Sequence, residues 1–266
     1  MHGLYYDRQH DEMVVPVALA GGVLVFRGAA SGAEVPLRTL QGPRTQIVRP
    51  DTLYVDVPHN ELVVDSGNES ILVFDRDAQG DVAPLRVIKG EKTGISNIYG
   101  LTVDPSRNLI FIANRVGEDG GRDTSDAILV FNRTDNGDVA PRAKIAGPRT
   151  GMLKIRQIEA DPERGNLFVT VKNNREHYEP SAINPSPWHP IRTGFIGVWN
   201  VTDNGDVPPK AVIKGPATGL VWPAGVAINP ATAEVFTIDS VSNSLFTFSL
   251  PELFRPPARM TSQPGR

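Results

Sequence analysis

Few side chains in this chain are placed to do chemistry, and the most suggestive are oxygens. Asp65, Asn114 and Asp239 end the runs "LVVD", "IFIAN" and "VFTID", and Asn173 stands just past "LFVTV". Oxygen donors from separate segments that converge on one point are what a hard cation such as Ca²⁺ requires, since it takes about six to eight oxygens in flexible geometry. Asp and Asn at a strand end have another occupation, accepting hydrogen bonds from backbone N–H groups of the neighbouring turn. Glu159 interrupts "QIEAD". A carboxylate inside a strand is costly to bury unless it is paired, with Arg156 or Lys154 as the near cations, or coordinates something. Histidine is the usual proton carrier near neutral pH. His177 and His189 share one segment with Glu176, Tyr178, Glu179 and Trp188. Folded over a metal, that segment could bring one of them to a metal-bound water as general base. Studded with Pro180, Pro185, Pro187 and Pro190, it could equally pack on a neighbour or a second copy. His10 and His59 fall in short turns and read as solvated, and His2 adjoins the terminus.

Composition removes several classes of function. With 27 Lys+Arg against 30 Asp+Glu in 266 residues and no basic run, a nucleic-acid or anionic membrane surface is not expected. No apolar stretch approaches the roughly 18 residues of a membrane span. "MHGLYYDRQHDEMVV" lacks the basic and apolar regions of a secretory leader, so none is expected. Without cysteine there is no disulfide, thiolate nucleophile or zinc–sulfur site. Gly-x-Ser-x-Gly, a glycine-rich phosphate loop and His-x-x-x-His are all missing.

The elements that must position these residues repeat. "ILVFDRDAQGDVAPLRVIKG" (71–90) returns as "ILVFNRTDNGDVAPRAKIAG" (128–147) and "IGVWNVTDNGDVPPKAVIKG" (196–215). "VLVFRGAASGAEVPLRTLQG" (23–42) is a weaker copy, and 245–263 a degenerate fifth. Upstream of each runs a pair such as "GLTVDPSRNLIFIAN" (100–114) or "IEADPERGNLFVTV" (158–171). One unit holds four β-rich runs, A to D, with an Asp-Pro turn between A and B and "NGDVAP" reading as the outer C–D hairpin turn. The C runs start at Val23, Ile71, Ile128, Ile196 and Leu245. Four antiparallel strands at such a period are the signature of propeller blades. The expectation is a single all-β domain, a β-propeller with blades near 1–46, 47–94, 95–151, 152–219 and 220–266, or these five as part of a six-bladed ring.

Strand parity then sorts the loops. A–B and C–D turns share one face, short and uniform; B–C and D–A connections share the other. B–C takes five residues in blades two and five, thirteen in blade three (115–127) and twenty-four in blade four (172–195). Long insertions on a compact scaffold are where function concentrates. Aligning the A runs places Tyr5, Tyr54, Thr102, Glu159 and Ala227 at one position. Trp222 in "GLVWPAG" could line the channel mouth, and Arg149 in the recurrent "GPRTG" could meet an anionic substrate.

"GLTVDP…NLIFIAN…ILVF" resembles the repeats of NHL-type and lactonase-like propellers, the group that includes gluconolactonases, paraoxonase-like hydrolases and streptogramin lyases. The resemblance covers the whole chain and implies a central Ca²⁺ held by Asp, Asn and Glu side chains. It leads to the expectation of a metal-assisted hydrolase of small esters or lactones, or of phosphotriesters. Asp65, Asn114, Asn173 and Asp239 would hold the metal, and His177, His189 and Glu159 would act in catalysis. Tyr178, Trp188, Trp222 and Arg149 would contact a small-molecule substrate, and the 172–195 loop could join two copies. A non-enzymatic ligand- or protein-binding propeller and a lyase acting on a cyclic ester are the alternatives, because a propeller by itself selects no function.

Overall fold

The computed structural model describes residues 3–67, 69–116, 126–172 and 194–255. It is an all-β, five-bladed propeller of antiparallel sheets arranged around one axis. Blade one comprises β1 (Tyr5–Asp7), β2 (Glu12–Val17), β3 (Gly22–Arg27) and β4 (Arg38–Gln41). Blade two comprises β5 (Leu53–Asp56), β6 (Glu61–Ser66), β7 (Ser70–Asp75) and β8 (Arg86–Ile88). Blade three comprises β9 (Asn97–Asp104), β10 (Leu109–Arg115), β11 (Ala127–Asn132) and β12 (Ala143–Ile145). Blade four comprises β13 (Ile155–Asp161), β14 (Asn166–Val171), β15 (Phe195–Asn200) and β16 (Ala211–Ile213). Blade five has three strands among the described residues: β17 (Pro223–Asn229), β18 (Glu234–Asp239) and β19 (Ser244–Ser249). The register bears out the aligned positions: Tyr5, Tyr54, Thr102, Glu159 and Ala227 lie opposite Val14, Val63, Phe111, Phe168 and Phe236.

The repeated turn does more than close a hairpin. Val73 is opposite Arg86, so residues 74–85 form a wide excursion that reaches the preceding blade. There Gly80, Gly137 and Gly205 bridge to Leu40, Ile88 and Ile145 of the neighbour's outer strand. Asn136 and Asn204 accept the Val87 and Lys144 N–H groups at 2.9 and 3.0 Å. Asp81, Asp138 and Asp206 accept the N–H of Arg44, Lys92 and Arg149 at 2.6, 2.7 and 2.8 Å. The Gly-Asp pair of this turn is thus a clasp at the rim, made at the joints of blades one and two, two and three, and three and four. Its receiver must be glycine: Gly90 has φ 134° and a Cβ there would lie 2.4 Å from the Asp138 carboxyl carbon. Arg149 gives its backbone N–H to this rim clasp and keeps its side chain exposed.

Apolar clusters fill the joints between blades one and two, two and three, three and four, and four and five. At the first two joints an ion-pair network lies beside the core. Glu12 takes Arg38 of its own blade and Arg76 of the next, at 2.7 and 2.8 Å. Glu61 likewise takes Arg86 and Arg133, at 2.7 and 2.8 Å. At the third joint all three positions turn apolar together, as Leu109, Ala143 and Val201, and pack in the cluster. Paired charges and apolar residues are interchangeable solutions to a buried site; half of either is not.

Candidate functional site

The A–B turns bind the inner strands with a repeated Asp-x-x-cation pair. Buried Asp7 and Asp56 hold Nδ1 of His10 and His59 at 2.7 and 2.9 Å. Asp104 and Asp161 hold Arg107 and Arg164 in the same way. His10 and His59, expected to be solvated, are structural partners of buried carboxylates.

The strand-end oxygens, by contrast, are spent on the backbone. Asp65 accepts the N–H groups of Asp51 and Thr52 at 2.7 and 2.8 Å. Asn114 accepts from Ser96 N–H at 2.7 Å and donates to the Gly94 carbonyl at 3.1 Å. Asp239 accepts Val221 and Trp222 N–H on one oxygen, and Val241 and Ser242 N–H on the other. Nor do the three sit at one level. Asn114 lies opposite Ala127 and Asp239 opposite Ser244, next to Ile128 and Leu245, whereas Asp65 lies opposite Ile71 itself. Asp65 is thus one residue further in, and Ser66 takes the place of Asn114 and Asp239, accepting Val48 N–H at 2.9 Å. Burial pushes the Asp65 carboxyl up to about 7. Among the described residues no three His, Asp or Glu side chains gather as a metal site. The described members of the expected ligand set do not fit a bound Ca²⁺. Asn173, His177, Tyr178, Trp188 and His189 lie outside the described residues.

Glu159 lies elsewhere, on the axis. A cavity of about 250 Å³ is lined by Tyr5, Tyr54, Gln157, Glu159 and Ala227 among others, with residues from every blade. Glu159 keeps some surface toward this cavity while protein surrounds it, and burial alone raises its pKa to about 8. The expected pairing with Arg156 or Lys154 is not made, for no cation shifts this carboxyl. Nearby, Tyr5 and Tyr54 meet edge to face, ring centroids 4.8 Å apart. Burial, the largest influence, raises the Tyr5 hydroxyl to about 12 and Tyr54 further, with the Glu159 charge adding to both.

At the variable-face end of the inner strands the structure assembles a group not foreseen as a site. β-bulges in blades three and four shift the register there, re-aiming the side chains. The Arg115 and Arg156 guanidinium carbons lie 4.3 and 5.0 Å from the Tyr99 ring centroid. The Lys172 ammonium lies 4.6 Å from the Trp222 centroid. Such distances are within cation–π range. Burial first, then Arg156, Arg115 and Lys154, lower the Lys172 pKa to about 8. Burial also lowers Arg156, with Arg115 adding and Tyr99 and Asp51 opposing. Asp126, within reach of Arg115, is raised by burial and accepts Ile155 N–H at 2.9 Å. Trp222 is the expected contact residue that lies here. Counting from the glycines of "GPRT", "GEKT" and "GPRT", Asp51, Tyr99 and Arg156 share one position, and that alignment could have found the group.

No protein-family model matches the chain, and no curated protein matches its sequence significantly.

Proposed function

We propose that this propeller binds a small organic anion, a carboxylate or phosphate ester, at the variable-face mouth of its axial channel. The observation that carries the reading is the convergence of Arg115, Arg156 and Lys172 from two blades, flanked by the Tyr99 and Trp222 rings. Clustered cations raise the local positive potential, which draws in and orients an anionic ligand. Arginine's planar fork suits bidentate carboxylate or phosphate, and lysine adds a point charge. The adjoining cavity gives the remainder of the ligand a place beside Gln157. Calorimetric titration with a panel of carboxylates and phosphate monoesters tests this. Arg156→Met and Lys172→Met should each weaken the best ligand at least tenfold, and Arg156→Lys far less. Equal affinity in all variants would end the proposal.

Glu159 favours a second reading, hydrolysis of a small ester or lactone in the same channel, in line with the likeness to lactonase-like repeats. A carboxyl that exchanges its proton near neutral pH can, when ionised, take a proton from water as the water adds to the ester carbonyl, and then return that proton to the departing alkoxide. Turnover of a lactone and aryl-ester panel that Glu159→Gln abolishes, with binding retained, would favour this reading over simple binding.

A further inference from the structure

A closed ring has as many joints as blades, yet among the described residues the five blades share four apolar clusters. Among the described residues no apolar cluster, hydrogen bond or ion pair joins blade five to blade one. Burial shows the same seam. Strands β6, β10 and β14 are buried at every residue, whereas β2 and β18 alternate, one flank covered and the other open. On the open flanks stand Tyr6 at 46 % exposure in blade one, and Ile238 at 54 % and Leu245 at 66 % in blade five. Met13, Val15, Leu24 and Phe26 line the blade-one flank, half-buried.

The chain itself supplies the pattern of what covers such a flank. Glu12 and Glu61, at the start of the second strand, each receive an arginine from the following blade, Arg76 or Arg133. Glu234 holds the same register position in blade five, opposite Ser249 as Glu61 is opposite Asp75. Within the described residues it has Thr232 as hydrogen-bond partner and no ion pair. Blade one is not the mate, because its counterpart of Arg76 is Gly28. Gly28 donates to the Asp11 carbonyl as Arg76 donates to that of Asn60. A Cβ at Gly28 would lie 2.1 Å from the Asp11 carboxylate, and with glycine in that place blade one offers Glu234 no arginine.

We infer that the seam is a seat for a sixth blade. Its occupant is a four-stranded antiparallel sheet, apolar on both flanks, that carries an arginine two residues after a large aromatic, as in Phe74-Asp75-Arg76, to meet Glu234. Face-to-face packing is the means by which every other flank in the molecule is covered, and both open flanks continue that stacking. This inference does not depend on the ligand proposed for the channel mouth.

The test appends a copy of residues 47–94 to the C-terminus of the full chain and follows amide hydrogen exchange. In the unextended protein, β2, β3, β18 and β19 should exchange at least tenfold faster than β6, β7, β10 and β11. In the extended protein that difference should close, and Glu234→Ala or removal of the appended arginine should partly reopen it. Far-UV circular dichroism confirms that each variant folds. Unchanged exchange on extension would overturn the inference. So would β2 and β18 already protected in the unextended monomer, meaning that blades five and one close directly. A dimer in sedimentation that Leu24→Asp dissociates would overturn it as well, giving the seat to a second copy.

Discussion

Glu159 carries the clearest pH signature in the molecule. Its proton stays on to about pH 8 in the folded chain, against an ordinary value of 4.5. The folded state therefore binds more protons between those values, so stability is full below the window and falls as pH rises through it. Lys172, lowered from 10.5 to about 8, acts in the opposite sense above pH 8, where the folded state has already released its proton. At about 1.4 kcal/mol per unit, Glu159→Gln should remove a few kcal/mol of the stability lost between about pH 5 and about pH 9. Urea unfolding at a series of pH values reads this directly; an unchanged slope would mean that the carboxyl is not desolvated. Asp65, raised to about 7, contributes a similar decline that Asp65→Asn should flatten.

The clasp and the ion-pair network belong to the scale of elements. Asp138→Ala removes the acceptor of the Lys92 N–H and should cost about 1–2 kcal/mol, as loss of a helix or turn cap does. Glu34, at the matching turn of blade one, pairs within its own blade with Arg27 and, among the described residues, clasps no neighbour. Glu34→Ala should therefore cost much less, and equal losses in thermal unfolding would refute the clasp. Arg133→Ala leaves Glu61 with Arg86 alone and should cost roughly 2 kcal/mol or more. Replacing Glu61, Arg86 and Arg133 by Leu, Ala and Val together should restore most of it, since the chain uses that apolar trio one joint later. A double-mutant-cycle analysis by denaturant midpoint would separate the two outcomes.

Across the whole molecule, the joints set how much a side chain is worth. Phe111, fully buried between blades three and four, should cost about 3–5 kcal/mol when cut to alanine. Leu245, on the open flank of blade five, should cost below about 1 kcal/mol by the same change. Equal costs would mean that the seam is closed. Because each blade touches only its neighbours, the losses at separate joints should add.

Much of this was legible in the residues themselves. Period-two alternation, Asp-Pro and Asn-Gly signals and the recurring "ILVF" determined the blades, their number and the ring of Tyr5, Tyr54, Thr102, Glu159 and Ala227, because these features depend on local geometry and on repetition. Pairing between units was not legible. Whether "NGD" closes its own hairpin or grips the blade before it, and whether Asp239 faces an ion or four backbone N–H groups, depends on what another segment brings alongside. The cation group at the mouth was hidden for the same reason: Arg115, Arg156 and Lys172 are far apart along the chain and meet only when bulged inner strands of adjacent blades converge. Local order follows from neighbours in sequence, while sites and joints follow from neighbours in space, and only the tertiary packing decides which residues those are.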